Sequence, residues 1–320
     1  MSAPSHRAVL QKRFPMILSV SRRTDIPAFY SEWFLNRLVE GFVLVRNPMN
    51  PRQMRRVRLS PDVIDCIVFW SKNPRPMLEL LSKSDALPNA CPIPDRLSKI
   101  GRYPFYFQFT MNAYGAGLEP GLPPLEERIR TFRELSERIG AERVIWRYDP
   151  ILLTEQYDVR FHLEQFERIA EELQGYTERC AISFVDVYRK LRSSFSRLGI
   201  TECEPEQVLE LAEGFSGICR EREFELSTCA EKADLSALGI GHARCIDAEL
   251  ISRIIGRELK VSKDKNQRLE CGCAESVDIG AYNTCPHGCV YCYANHNAAL
   301  AARNFKAHDP KSTLLSGPYL

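Results

Sequence analysis

The segment PPLEERIRTFRELSERIGAERVIWRYD (123–149) joins a helix pattern directly to a strand pattern. Its first part, residues 123–140, places apolar side chains at helix spacing along one face, namely Leu125, Ile129, Phe132, Leu135 and Ile139. Its second part, RVIWRYD (143–149), is a short apolar and aromatic run typical of a buried strand. A helix followed at once by such a strand is the repeating unit of a parallel α/β sheet.

The same unit recurs along the chain. Further helix patterns cover residues 159–175 and 204–221. Further strand patterns are MILSVS (16–21), DCIVFWS (65–71), PFYFQFT (104–110), CAISFVDV (180–187) and EFELSTC (223–229). The alternation predicts an α/β protein, with a parallel sheet that forms a single (β/α) barrel or partial barrel. We expect residues 1–228 to form its core and residues 229–320 to complete the same structural domain.

Composition narrows the functional classes. The chain has 320 residues, with 43 basic and 41 acidic side chains, so its net charge of +2 gives no global case for nucleic acid or membrane partners. There is no apolar run long enough to span a membrane and no signal-peptide pattern at the N-terminus, so we expect a cytoplasmic protein. In that reducing compartment the 12 cysteines are expected to be metal ligands, redox groups or buried side chains.

Seven of these cysteines lie at or beyond residue 229, and three of them share one loop. The segment AYNTCPHGCVYCYAN (281–295) contains Cys285, Cys289 and Cys292. Three thiolates at this spacing can each bind one iron of a [4Fe–4S] cluster. The fourth iron then stays open for an exogenous ligand, such as the amino and carboxylate groups of S-adenosylmethionine. The alternative is a zinc site that adds His287 or His296 as fourth ligand.

This loop resembles the cluster loop of the radical S-adenosylmethionine superfamily, which has three cysteines at this spacing and an aromatic residue before the third. It is similar in detail to spore photoproduct lyase, which also reads Tyr-Cys-Tyr-Ala. The whole chain resembles a bacterial family of unknown function, through ILSVSRRTDIPAFY (17–30) and KDKNQRLECGCAESVDIGAYNTCPHGCVYCYAN (263–295). The resemblance implies a [4Fe–4S] cluster that cleaves S-adenosylmethionine to a 5′-deoxyadenosyl radical, and an electron donor such as flavodoxin or ferredoxin. It leaves the substrate unknown.

The loop stands near the end of this chain, whereas in most of the superfamily it follows the first strand. A circular permutation would explain this order. It predicts that residues 275–281 form a strand beside residues 16–21, that residues 293–305 form a helix, and that Cys289 lies near Arg22. The residues then expected to contact the cofactor are Ser19, Ser21, Arg22, Arg23, Asp25 and the backbone of Tyr291.

Four further cysteines form a second candidate group: Cys229, Cys245, Cys271 and Cys273. They could bind a second [4Fe–4S] cluster or a zinc ion. Alternatives are a redox-active thiol pair or, by resemblance to spore photoproduct lyase, a hydrogen-donating cysteine, for which Cys229 is the candidate. Arg147 and Asp149 end a strand and are further catalytic candidates. A buried Arg147 requires an anionic partner.

Two other functional classes stay open. The arginine-rich stretch 46–62 could contact phosphates, as in a zinc or iron–sulfur protein that binds nucleic acid without catalysis, although a hairpin with solvated charges is the simpler interpretation. The second open class is a barrel hydrolase whose cysteine-rich tail has only a regulatory role. Within the radical enzymes, the sequence does not distinguish lyase, transferase and rearrangement.

Overall fold

The computed structural model describes residues 15–82, 100–187 and 191–317. Cys91, one of the 12 cysteines, lies outside the described residues. The strands in this part are β1 Ile17–Val20, β2 Phe42–Arg46, β3 Met54–Arg58, β4 Cys66–Ser71, β5 Phe105–Thr110, β6 Val144–Ile151, β7 Arg179–Phe184, β8 Glu225–Thr228, β9 Gly241–His242 and β10 Val277–Asp278. Eight of them form one sheet in the order β10-β1-β4-β5-β6-β7-β8-β9, and every neighbouring pair is parallel.

Helices connect the strands, as the alternating pattern predicts. The described helices are α1 Ile26–Phe29, α2 Ser31–Glu40, α3 Arg75–Ser82, α4 Leu125–Ile139, α5 Val159–Leu173, α6 Arg192–Leu198, α7 Pro205–Glu221, α8 Ala248–Ile255 and α9 Ala298–Lys306. The helices predicted at 123–140, 159–175 and 204–221 are therefore confirmed as α4, α5 and α7. Local chemistry sets their starts: Asp158 accepts the backbone N–H of Phe161 at the start of α5.

Aromatic side chains fill the layer between the sheet and the helices. Trp146 of β6 stacks on Phe166 of α5, with ring centroids 4.6 Å apart, and Phe166 stacks on Phe215 of α7 at 4.1 Å. Phe69 of β4 stacks on Phe107 of β5 in the same way at 4.7 Å. These buried aromatic pairs fix the helices against the sheet and so fix where each strand ends.

The predicted parallel α/β architecture is confirmed, but a closed barrel is not seen. Within the described residues, β9 pairs only with β8 and β10 pairs only with β1. Both edge strands have two residues, so neither presents a ladder long enough to bond the opposite edge. In this part of the chain the sheet is therefore open.

The arginine-rich stretch forms a separate antiparallel hairpin. Strands β2 and β3 pair from Phe42–Arg58 to Arg46–Met54. Arg55, Arg56 and Arg58 are exposed on it. This agrees with the interpretation of solvated charges on a hairpin. No helix of the described residues has the length and apolarity that crossing a membrane requires.

His162 on α5 makes the fold sensitive to acid. Its ring is fully buried, Tyr148 lies 2.8 Å from Nδ1, and Nε2 donates to the carbonyl oxygen of Leu152 at 2.9 Å. Burial disfavours the imidazolium and lowers the pKa of His162 to about 4. The unfolded chain therefore binds more protons between pH 6.5 and 4, so the free energy of unfolding falls as pH decreases through that window.

We expect this single histidine to account for about 3 kcal/mol of lost stability between pH 6.5 and 4. The measurement is urea unfolding at both pH values for the wild type and His162→Gln, whose amide can replace both hydrogen bonds. The variant should lose less stability on acidification by about that amount. An equal loss in both proteins would contradict the assignment.

Candidate functional site: a cysteine-lined cavity at the carboxyl ends of the strands

A cavity of about 410 Å³ lies at the edge of the sheet where the parallel strands end. Its wall contains residues that follow or end successive strands, namely Ser21, Ser71, Thr110, Arg147, Ser183 and Cys229. Because all carboxyl ends of a parallel sheet lie at one edge, polar residues from distant parts of the sequence meet there. The structure thus gathers polar residues from six separate parts of the sequence around one cavity.

Strand β10 joins the two ends of the chain at this edge. Leu18 pairs with Val277 and Ser19 with Asp278, so the predicted pairing of residues 275–281 with residues 16–21 is confirmed. The Asp278 carboxylate accepts hydrogen bonds from the Ser19 hydroxyl at 2.8 Å and the Ser21 hydroxyl at 2.7 Å. It is therefore the main polar link between β10 and the segment after β1.

Two backbone N–H groups and one guanidinium complete the shell of Asp278. Arg22 N–H donates at 2.8 Å, Gly280 N–H at 3.0 Å, and Arg23 forms an ion pair at 3.0 Å. A side chain at Gly280 could not be accommodated, since a Cβ there would lie 2.0 Å from the Ser21 hydroxyl oxygen. The chain therefore runs close to Ser21 as it leaves β10. It then enters the cysteine loop, which we define as residues 284–292.

Asp25 supports one side of the cysteine loop. It caps α1 through Ala28 N–H at 3.0 Å and accepts the Ser71 hydroxyl at 2.7 Å. Its Oδ2 accepts a hydrogen bond from His287 Nε2 at 2.8 Å. His287 is buried and packs edge-on against Phe29. Its two ring nitrogens thus bond Asp25 and the Gly121 carbonyl, and this bonding argues against the alternative in which His287 is a zinc ligand.

The segment Leu118–Gly121 supports the opposite side. Val290 N–H donates to the Leu118 carbonyl at 3.0 Å, and Gly121 N–H donates to the His287 carbonyl at 2.9 Å. The backbones approach so closely that a Cβ at Gly121 would lie 2.7 Å from the His287 oxygen. Glycine is needed there because only a residue without Cβ permits this approach.

A buried charge cluster, defined as Lys72, Glu119, Arg128 and Tyr291, lies behind the loop. Lys72 Nζ lies 2.8 Å from Glu119 and donates to the Tyr291 hydroxyl at 3.0 Å. The Tyr291 hydroxyl donates to the same carboxylate, and Arg128 lies 3.6 Å from its other oxygen. Burial alone would lower the pKa of Lys72, but the Glu119 carboxylate raises it, so the ammonium stays charged.

The cysteine triad, Cys285, Cys289 and Cys292, lines the cavity together with Arg22. The predicted proximity of Cys289 and Arg22 is thus confirmed at the level of a shared cavity wall. Burial raises the pKa of the Cys285 thiol well above its usual value and that of Cys289 to about 12. Burial alone therefore favours the protonated thiols, whereas a bound metal would stabilise the thiolates.

The cysteine quartet, Cys229, Cys245, Cys271 and Cys273, also lines this cavity. The sulfur atoms of Cys229 and Cys245 lie 3.1 Å apart. The Ile246 N–H donates to Cys273 Sγ at 3.4 Å, which places Cys273 beside the residue that follows Cys245. The structure therefore brings together four cysteines that span residues 229–273.

Arg147 connects the quartet to the end of β6. Its Nη1 donates to Cys245 Sγ at 2.7 Å, and its Nε donates to Asp149 at 3.1 Å. The expected anionic partner of Arg147 is thus Asp149, which also accepts the Ser183 hydroxyl. Burial would raise the pKa of Asp149, but Arg147 lowers it, so the carboxylate stays ionised.

Most of the residues predicted to contact the cofactor line the cavity, but one does not. Ser21, Arg22, Arg23, Asp25 and Tyr291 line the cavity, whereas Ser19 lies below it and accepts the Trp70 indole N–H at 3.1 Å. Within the predicted cofactor set, Arg22 is the residue with a buried nitrogen, Nη2, that has no hydrogen-bond partner in the described residues.

Sequence reasoning missed three groups that hold the loop. Asp278, Glu119 and Lys72 are not among the candidates that the sequence indicates. Asp278 is a charged residue at the centre of the strand predicted at residues 275–281, a position that could have identified it. Glu119 lies in a stretch without periodic pattern, and nothing local marks it.

No group of three or more His, Cys, Asp or Glu side chains in residues 15–82, 100–187 and 191–317 is placed so that it could hold a metal ion without rearrangement. For the triad, the donor set fits a cluster nonetheless. Three half-buried cysteines on one short loop line a shared cavity, and the hydrogen bonds of His287 and Tyr291 hold that loop from behind. A metal at the triad would bind groups that the fold has already gathered.

Comparison with known proteins assigns the chain to a family but not to an activity. No curated protein matches the chain. One similar solved structure, a putative alpha-L-fucosidase from Bacteroides thetaiotaomicron, has 13% sequence identity and a TM-score of 0.26, with 61% of this chain and 72% of that chain covered. A likeness at that TM-score carries no functional argument. A family model described as Domain of unknown function (DUF1848) matches residues 17–294, and the chain therefore belongs to that family.

Proposed function

We propose that the protein is a radical S-adenosylmethionine enzyme whose [4Fe–4S] cluster is held by Cys285, Cys289 and Cys292. The observation that carries this proposal is the position of the triad. Its three cysteines line a cavity at the carboxyl ends of parallel strands, where α/β enzymes bind their ligands. When bound, the reduced cluster would supply the electron that cleaves S-adenosylmethionine to a 5′-deoxyadenosyl radical.

The chain's own residues would prepare this site. Asp25 and His287 hold one side of the loop, and Glu119 with Tyr291 holds the other, which keeps the three cysteines in the cavity wall. The cavity of about 410 Å³ lies within the range of roughly 300–1,000 Å³ usual for small-ligand sites. Arg22 Nη2, buried without a partner in the described residues, is suited to bind the carboxylate of the cofactor.

The order of the strands supports the permutation hypothesis. Strand β10 precedes the loop and lies beside β1, and helix α9 follows the loop at Ala298–Lys306. In space, β10, the loop and β1 are therefore arranged as a first strand, its loop and a second strand would be. We propose that this open sheet is the partial barrel of the superfamily with its first unit moved to the end of the chain.

The decisive experiment is anaerobic reconstitution with iron and sulfide, followed by reduction in the presence of S-adenosylmethionine. We expect a brown protein that releases 5′-deoxyadenosine, and a Cys289→Ala protein that releases none. The matched control is Cys203→Ala, which changes a half-buried cysteine that does not line the cavity. A colourless wild type that holds zinc at the triad and cleaves no cofactor would overturn the proposal in favour of a non-catalytic zinc protein.

A further inference from the structure

The quartet differs from the triad in how its sulfur atoms approach one another. The Cys229 and Cys245 sulfur atoms are 3.1 Å apart, the Ile246 N–H next to Cys245 donates to Cys273 Sγ at 3.4 Å, and Cys271 lines the same cavity. Among the described residues of the triad, no such sulfur–sulfur hydrogen bond is recorded. The quartet therefore contains a pair of sulfur atoms in close contact.

The distance between ligand sulfur atoms distinguishes a single metal ion from a four-iron cluster. Four thiolates on one tetrahedral ion, with metal–sulfur distances of about 2.3 Å, lie about 3.8 Å from each other. Ligands of a four-iron cluster bind different irons and are spaced more widely. The Cys229–Cys245 separation of 3.1 Å requires only a small outward movement for the single ion.

Hydrogen-bond donors and cationic side chains lie beside sulfur atoms of the quartet. Arg147 Nη1 donates to Cys245 Sγ at 2.7 Å, and Ile246 N–H donates to Cys273 Sγ at 3.4 Å. Arg22 is close enough to Cys273 and Cys245 for both to act on its charge. Hydrogen bonds to ligand sulfur and nearby cations are the outer-shell contacts that stabilise the negative charge of a tetrathiolate metal site.

The backbone near the quartet is irregular. Between α8 and β10, residues 256–276 contain no helix or strand, and their regular pairing is a single bridge between Lys263 and Ala274. Cys271 and Cys273 lie in this segment, Cys245 precedes α8 and Cys229 follows β8. An ion bound by all four would tie the irregular segment to the sheet, as structural zinc does in other small irregular regions.

We propose that Cys229, Cys245, Cys271 and Cys273 bind one tetrahedral metal ion of the zinc class in the cavity wall, separate from the triad. The ion displaces up to four thiol protons and adds two positive charges to four thiolates, leaving a net charge of −2 beside Arg147 and Arg22. Its role is to fix residues 256–276 against the end of β8. Cys229 is then a ligand, and the hydrogen-donor role considered from sequence does not apply to it.

The test compares metal content in full-length chains purified without added metal. The variants are a triad chain with Cys285, Cys289 and Cys292 all changed to alanine, a quartet chain with Cys245→Ser, and Cys203→Ser as the control. We expect about one zinc per chain in the wild type, the triad chain and the control. The Cys245→Ser chain should lose it. Zinc kept in Cys245→Ser at the wild-type level would overturn the proposal, whereas the proposed function fails separately if the reconstituted wild type cleaves no S-adenosylmethionine.

A second measurement does not depend on whether Cys245→Ser folds. The triad chain is stripped of metal with a chelator and titrated with Co²⁺. Saturation at one equivalent, with the visible and sulfur charge-transfer bands of a tetrahedral thiolate site, supports the proposal. Absence of these bands, or a second iron–sulfur cluster in the triad chain in place of zinc, overturns it.

Discussion

The Asp278→Ala protein is expected to unfold with a free energy about 3–5 kcal/mol lower than that of the wild type. Asp278 accepts hydrogen bonds from Ser19, Ser21 and the backbone of Arg22, and it pairs with Arg23. The side chains of Arg23 and Asp278 are 12% and 15% exposed, so little water can replace the lost partner. Removing the carboxylate leaves a buried guanidinium without its counter-charge, and that cost dominates.

Urea unfolding at neutral pH measures this loss, with Asp278→Asn as an intermediate case that keeps one acceptor oxygen. The matched control is Asp62→Ala, since Asp62 pairs with Arg58 at the surface with exposures of 65% and 66%. That pair should contribute less than about 1 kcal/mol. A loss below about 1 kcal/mol in Asp278→Ala would mean that β10 is held to β1 by its backbone alone.

The strong periodic segments could be predicted from the sequence because their signal is local. The helix pattern of residues 123–140 and the strand pattern of residues 143–149 each repeat within a few residues, and both are confirmed in α4 and β6. The pairing of β10 with β1 could be predicted because the resemblance of the loop supplied an order for the strands. Closure could not be predicted, since edge strands of two residues give almost no periodic signal.

The contacts that position the loop are non-local, and therefore they leave no pattern. The hydrogen bond from His287 to Asp25 joins residues 262 positions apart, and that from Tyr291 to Glu119 joins residues 172 apart. The proximity of the quartet cysteines could not be predicted for the same reason. Its cysteines are separated by gaps that match no compact motif, so only the fold brings Cys229 and Cys245 together.

Glu119→Gln is the second substitution for which a large effect is expected, because one carboxylate serves two buried cations. Lys72 is 2.8 Å away and Arg128 is 3.6 Å away, and their side chains are 16% and 2% exposed. Arg128 Nε and Nη1 have no other hydrogen-bond partner among the described residues. Glutamine keeps the shape of the side chain and an acceptor for Tyr291 but removes the negative charge. The free energy of unfolding should fall by about 3–5 kcal/mol.

The same substitution should loosen the cysteine loop before the whole chain unfolds. The loop is held by Tyr291 on Glu119 and by Val290 N–H on the Leu118 carbonyl, so both contacts depend on one short segment. We expect faster amide hydrogen exchange at Val290 and Cys292, and weaker iron retention after reconstitution. The control is Glu164→Gln, which breaks the exposed pair with Arg160 and should change stability by less than about 0.5 kcal/mol.

These readouts separate a general loss of stability from a specific role at the loop. If Glu119→Gln lowers stability while exchange at Val290 stays as slow as in the wild type, Glu119 supports the fold and not the loop. If exchange accelerates at Val290 and Cys292 but stays unchanged at Tyr148 in the centre of the sheet, the buried charge cluster is what holds the triad toward the cavity. We expect the second result, because the carboxylate contacts Tyr291 directly and reaches β6 only through other side chains.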